Sequence, residues 1–369
     1  MSRKVGVLCL VSVMVIGLWM PSRISGDLLL VKMISPVVYG GLDWEGPEEW
    51  MEHVSNSLIG MVMPLWMTQK NRLQLLNNDS YELYPANEIC DSVYEENDKE
   101  ASIVNAPAAN GQGRVYTLEM LRDYNYFLNE FYAVDSTTYA DGLLDAERFM
   151  EMDLTMELTG DSPKVLIYHT HSQEAFVDSR DGVWEDTVVG LGDRLKLELE
   201  ERYGISALHV TDTFDVIDGV TDRSAAYTYA EEKIWEVLEN HPSIKVIIDL
   251  HRDGVDENTR LVTNINGKDT AQMMFLNGLC RTTTSGPISY LQNEYLTENL
   301  AFSFKLQSKA SEYYPGLMRR IYLRSYQYNL HILPRSLLVE CGAQTNTVEE
   351  VQNAMPLLAD LLYLVLSGN

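Results

Sequence analysis

From Lys164 onward the chain repeats one pattern: a short apolar run without polar alternation, then a stretch with apolar residues at helical spacing. Lys164–Tyr168 (K-V-L-I-Y) and Lys245–Leu250 (K-V-I-I-D-L) read as strands covered on both faces, because a strand with one wet face would alternate. Ala207–Val210, Gln272–Leu276 and Ser336–Val339 are further strand candidates. Glu185–Arg202 carries Val188, Leu191, Leu195 and Leu199 at helical spacing and is stopped at Tyr203-Gly204. Ala225–Glu239, stopped by Asn240-His241-Pro242, then Leu296–Tyr313 and Val348–Leu366 continue the helical series. Strands alternating with helices over residues 161–369 predict an α/β domain with a mostly parallel or mixed central sheet flanked by helices.

The preceding residues divide into two parts. Arg3 and Lys4 precede an apolar run from Val5 to Met20, followed by Pro21 and Arg23. A basic flank before a hydrophobic stretch reads as a secretory signal or a single-span anchor. No A-x-A-like cleavage site follows, and Leu28–Val31 extends the apolar stretch, so residues 1–32 are expected to be an uncleaved anchor or signal. Arg3 and Lys4 then stay in the cytoplasm and everything after the span lies outside it. Residues 33–160 are expected to be an acidic spacer or small accessory region. They hold the acidic stretches Asp43–Glu52 and Asp91–Glu100, and one helical pattern between Tyr116 and Tyr132. With 28 Lys and Arg against 54 Asp and Glu in 369 residues, the formal charge is -26. Such a surface repels a phosphate backbone and argues against a nucleic-acid partner. Cys9, Cys90, Cys280 and Cys341 form no C-x-x-C pair, which argues against a thiolate zinc cage.

Three polar clusters end the three best strands: Tyr168-His169-Thr170-His171-Ser172-Gln173-Glu174, Asp249-Leu250-His251-Arg252-Asp253 and Val339-Glu340-Cys341-Gly342. In an open α/β sheet the carboxyl ends of strands form the ligand crevice, so these loops should converge. Of the chain's 7 histidines, three stand in two of these clusters. Neutral imidazole with carboxylate suits Zn²⁺, and a catalytic zinc keeps three protein ligands and an open place. His171 and Glu174 have H-x-x-E spacing, and His251 would add a third ligand from another strand. Cys341 reads as a small packed residue rather than a nucleophile.

Taken with Tyr314-Pro315-Gly316-Leu317-x-Arg319, Tyr328-Asn329, Leu338-x-Glu340-x-Gly342 and Asn346-Thr347-x-Glu349-Glu350, these clusters resemble the stage II sporulation protein P family. The resemblance runs in order from about residue 160 to residue 369 and includes the amino-terminal span. It implies a membrane-anchored peptidoglycan hydrolase with N-acetylmuramoyl-L-alanine amidase activity and an additional endopeptidase activity, outside the cytoplasm, used in spore engulfment. It also implies partners among the engulfment proteins, a membrane-bound lytic transglycosylase and a membrane-bound scaffold. Similarity to the wider class of zinc-dependent cell-wall amidases implies metal ligands at His171 and His251 and catalysis by Glu340. The second ligand is then Glu174, from the H-x-x-E spacing, or Glu185, which matches the position used by the wider class. Arg252 and Asp253 would orient ligands or bind the glycan, and His169 would stand behind the ligands or face substrate. One departure is Leu330-His331, where the family often has Gln after Tyr-Asn. Two other functions remain open on the same residues. One is a non-catalytic wall-binding scaffold, and the other is a zinc carboxypeptidase acting on stem peptides, with Arg252 holding the terminal carboxylate.

Overall fold

Apolar runs with no wet face become the middle of a single sheet. The structure is a computed structural model that describes residues 113–217, 220–223 and 225–369. Within them, in chain order, lie α1 (Leu118–Leu121), α2 (Tyr124–Phe131), β1 (Tyr132–Val134), α3 (Ala146–Glu151), β2 (Val165–Tyr168), α4 (Val188–Tyr203) and β3 (Ala207–His209). A two-stranded hairpin follows, β4 (Val216–Ile217) with β5 (Val220–Thr221), then α5 (Ala226–Asn240) and β6 (Val246–Asp253). Next come the hairpin β7 (Val262–Ile265) with β8 (Lys268–Ala271), then β9 (Met273–Gly278) and the hairpin β10 (Arg281–Thr282) with β11 (Gly286–Pro287). The chain ends with α6 (Leu296–Tyr313), β12 (Ile321–Arg324), β13 (Ser336–Ala343), α7 (Val348–Gln352) and α8 (Met355–Ser367).

Seven strands form the central sheet in the order β1-β12-β9-β13-β6-β2-β3. Every neighbouring pair is parallel except β9 with β13, which run antiparallel. The expected mostly parallel or mixed sheet is therefore what the chain forms. Side-chain alternation sorts β2, β6 and β13 between two cores. Val165, Ile167, Val246, Ile248, Leu250, Leu337, Val339 and Cys341 face one core, shared with α4, α6 and α8. Leu166, Tyr168 and Ile247 face the other, shared with α5. By the same parity Asp249, His251 and Glu340 fall on the α5 face, at the carboxyl ends of their strands.

The helices end where their residues dictate. Thr187 caps α4 by accepting a hydrogen bond from Val189 N–H, and Gly204 closes it in the left-handed conformation at φ 63°. Thr347 and Glu350 form a reciprocal capping box on α7. The Asn346-Thr347-x-Glu349-Glu350 motif is thus structural in part: buried Asn346 also donates to Leu261 O and to Glu350.

The expected boundary near residue 160 does not separate two bodies among the described residues. β1 pairs in parallel with β12, Tyr132 opposite Ile321. Phe127 and Phe131 meet Phe304 of α6 at ring-centroid distances of 5.3 and 4.9 Å. Burial of each such ring contributes roughly 1.5–3 kcal/mol, and Phe127, Phe131 and Phe149 belong to the same core as Phe304. The expected anchor, residues 1–32, and the acidic stretches up to residue 100 lie outside the described residues. Among those described, no helix is long and apolar enough to cross a membrane.

β13 carries an irregularity between Glu340 and Ala343. Gly342 makes it possible at φ 61°, and a Cβ there would stand 2.9 Å from Asn346 Oδ1. Gly342→Ala is expected to lower stability by about 1–2 kcal/mol from the left-handed backbone alone. A urea midpoint equal to the parent's, at unchanged slope, would contradict this account of the turn.

Candidate active site

The three strand ends converge as their parity requires. His251 on β6 stands directly across from Glu340 on β13, and Tyr168 across from Asp249. β2 stops at Tyr168, and the turn that follows brings His171 over the α5 face. There its ring meets His251 edge-on at 5.3 Å and Tyr227 of α5 at 5.8 Å.

His251 is held on both sides. Its Nδ1 donates to Glu174 Oε2 at 3.2 Å. Its Nε2 lies 2.8 Å from Asp249 Oδ1 but out of line for a hydrogen bond. Asp249 is itself fixed by Thr170 N–H at 2.9 Å and by the Thr170 hydroxyl at 2.7 Å. Burial alone would lower the His251 pKa; Asp249 and then Glu174 outweigh it and hold the ring well above the ordinary imidazole value. Glu174 is the complement. Burial pushes it up, but His251, Arg252 N–H at 3.1 Å and Arg223 at 2.6 Å bring its pKa down to about 2.

Three buried polar atoms at this edge have no hydrogen-bond partner: His171 Nδ1, His251 Nε2 and Glu340 Oε2. His171 Nδ1 comes no nearer than 3.8 Å to buried Asp215. Burial, then His251, lowers the His171 pKa. Glu340 has its pKa pushed up to about 7 by burial, with His251 opposing and the neighbouring carboxylates reinforcing the rise. A buried polar group without a partner costs stability, and its usual explanation is a reactive role or a missing ligand.

The remaining expected residues divide. Arg252 turns its guanidinium to Ala175 O and Asp253 O, both at 3.1 Å, so it fixes the loop carrying Glu174. Asp253 accepts from Arg319 at 2.6 Å, which gives the Tyr314-to-Arg319 motif a bracing role. His169 does not share a face with His171, because β2 ends at Tyr168 and alternation does not extend over them. It lies in the opposite core, with Nδ1 donating to Leu250 O and Nε2 meeting His209 Nε2, both at 2.8 Å. Burial first, and His209 second, lower its pKa to about 3. His209 in turn reaches Asp193 at 2.8 Å. Glu185 is exposed on a 3-10 turn, where its charge acts on Arg180. Cys341 is fully buried against α7, its thiol pKa raised by burial, and is not a nucleophile.

Sequence reasoning gave no role to Asp249, Arg223 or Tyr227. Asp249 was legible, since Asp249-Leu250-His251 places Asp and His on one face. Arg223 and Tyr227 had no local signal; Tyr227 is placed by Asn329 Nδ2, which donates to Tyr227 O at 2.8 Å.

His171 Nδ1 and His251 Nε2 make no hydrogen bond, although Asp249 Oδ1 lies 2.8 Å from the latter, and with the oxygens of Glu174 and Glu340 they make a donor set whose chemistry suits zinc. Among the described residues, no group of three or more His, Cys, Asp or Glu side chains is placed so that it could hold a metal ion as it stands. Both Glu174 oxygens are committed to protein donors, and a bound cation would have to compete for one of them with Arg223 or His251.

Comparison with known proteins gives the context. The sequence profile of the family described as Stage II sporulation protein P (SpoIIP) matches residues 69–363. Stage II sporulation protein P of Bacillus subtilis (strain 168) is 26% identical over 228 residues, covering 57% of this chain and 53% of that protein. The chain thus spans about half the length of that curated relative. Among solved structures, N-acetylmuramoyl-L-alanine amidase from Clostridium difficile 630 is 14% identical, with 56% of this chain and 97% of that chain covered at a TM-score of 0.33. The catalytic domain of CwlV, an N-acetylmuramoyl-L-alanine amidase from Bacillus (Paenibacillus) polymyxa var. colistinus, is 13% identical, with 54% and 96% covered at a TM-score of 0.31. At such TM-scores the likeness carries no argument about activity.

Proposed function

The chain belongs to the stage II sporulation protein P family, and from that premise we propose that it is a zinc-dependent peptidoglycan hydrolase. It cleaves the amide between the lactyl group of N-acetylmuramic acid and L-alanine during spore engulfment, and the family's additional endopeptidase activity belongs to the same reading. The observation that carries this is the convergence at one sheet edge of three buried atoms that make no hydrogen bond, His171 Nδ1, His251 Nε2 and Glu340 Oε2.

His171, His251 and Glu174 would hold the metal. When bound, zinc supplies a Lewis acid for the scissile carbonyl. The protein's own groups do the rest. Glu174 accepts from His251 Nδ1, and a carboxylate in that position orients a ligating imidazole and raises its basicity. Glu340, raised to about 7, is poised to take the proton of the attacking water and pass it to the leaving amine. With Arg252 committed to backbone carbonyls, no observation favours the carboxypeptidase reading. Anchoring through residues 1–32, an extracytoplasmic site and engulfment-protein partners complete the proposal. With a net charge of -26, long-range attraction to an anionic wall polymer gives no help, so tethering is the better route to substrate.

Digestion of purified peptidoglycan tests the reaction. Free glycan with released stem peptides is the expected product; trimmed stems mean a carboxypeptidase, and no change means a scaffold. The oxygen ligand is tested apart from turnover. Glu174→Gln is expected to lose most of its zinc by elemental analysis, whereas Glu185→Gln keeps the parent's content. The reverse result transfers the role to Glu185.

A further inference from the structure

A polar groove opens one helical turn from the active site. Tyr227, Glu231 and Trp235 recur every four residues and so form one stripe along α5, each step advancing about 6 Å. Tyr227 stands against His171 at 5.8 Å. At the next turn Glu231 Oε1 accepts from His331 Nε2 at 3.0 Å and from Trp235 Nε1 at 3.4 Å. Ser289, Tyr290, Leu291, Gln292 and Gln327 complete the groove with Glu231 and His331, an open depression of about 570 Å³.

Two observations point to a ligand. His331 lines the groove, and its Nδ1 is buried with no hydrogen-bond partner. Two large aromatic side chains flank the place without being covered: Tyr290 is 81% exposed and Trp235 43%. Neither Lys nor Arg lines the groove, while Glu231 is held ionised, chiefly by its hydrogen bond from His331. An anionic stem peptide is therefore disfavoured there. An uncharged, polyhydroxylated chain fits, because sugar rings lay their C–H faces on aromatic rings while hydroxyl and N-acetyl groups bond to carboxylate, amide and imidazole.

We infer that this groove is a saccharide subsite that holds the glycan strand beside the catalytic edge. The inference rests on the amidase reading, since the scissile amide hangs from a sugar and the strand must run close to His171. It assigns a ligand to residues that the reaction itself does not use.

The test is binding of the full chain to immobilised oligomers of N-acetylglucosamine, a neutral N-acetylated sugar chain with neither the carboxylates that stem-peptide removal leaves on the lactyl groups nor a stem amide for an amidase to cleave. The parent is expected to be retained, and Tyr290→Ala and Glu231→Gln to bind at least about 10-fold more weakly, a difference of about 1.4 kcal/mol. Tyr290 is so exposed that its truncation leaves the fold intact, and circular dichroism of each variant checks this. Absence of retention for the parent, or parental retention for both groove variants, overturns the inference whatever the hydrolysis result. Retention lost in the groove variants of a parent that cleaves nothing keeps the subsite and overturns the amidase.

Discussion

Glu340→Gln is expected to abolish nearly all peptidoglycan cleavage while the protein folds and retains zinc as the parent does. The argument starts from the strand. Leu338 and Glu340 share the α5 face of β13, and the Gly342 turn ends the strand just beyond, so the carboxylate is left at the edge opposite His251. There it loses solvent on most sides and gains no hydrogen bond at Oε2. Burial, opposed by His251 and reinforced by the neighbouring carboxylates, disfavours its ionised form, and its pKa rises to about 7, where a general base works best near neutral pH. Removing such a base costs about 10²–10⁴-fold in rate. A second readout separates this role from a structural one. The folded pKa is raised above the unfolded value, so this group opposes folding increasingly as pH climbs from the ordinary carboxylate range to about 7. Glu340→Gln, which cannot ionise, should therefore match or exceed the parent's melting temperature at pH 8, measured on metal-free protein. Loss of zinc by the variant would make Glu340 a ligand, and normal cleavage would end the proposed mechanism.

The strands that carry the site were legible because they are fully covered, and full coverage leaves an unbroken apolar run. β2, β6 and β13 were each found within a few residues. β1 and β12 were not, since three or four residues beside a helix or a turn leave no run to recognise. β1 lies at the sheet edge and is identified only by its pairing with β12, far away in sequence. The β7–β8 hairpin did have a signal, Asn266-Gly267 between two β-type stretches, and the structure places both residues at positive φ, as a tight hairpin turn needs. In the site, His171, His251 and Glu340 were readable from strand-end position. β2 stops at Tyr168, so strand alternation does not say how His169 and His171 turn. Arg223 and the 227–231 stripe of α5 reach the edge only through tertiary packing, which no local spacing encodes.

His171→Ala and His251→Ala are each expected to abolish both zinc content and hydrolysis, because a three-ligand site that loses one imidazole rarely retains its metal. The two residues differ in how they are prepared. His171 is already kept in its neutral form, its pKa lowered mainly by burial, and its Nδ1 is free. His251 sits between two buried carboxylates that favour its protonated form, so zinc must displace a proton from it. Uptake of zinc should therefore release protons and strengthen as pH rises, by calorimetry in buffers of different ionisation heat. His169→Ala is the control: it lies in the other core, bonded to Leu250 O and His209, and should keep its metal while losing stability. Full zinc occupancy with near-normal turnover in either ligand variant sinks the assignment. Loss of metal in His169→Ala alone would mean that the relay through His209 and Asp193, rather than the α5 face, is where the ion sits.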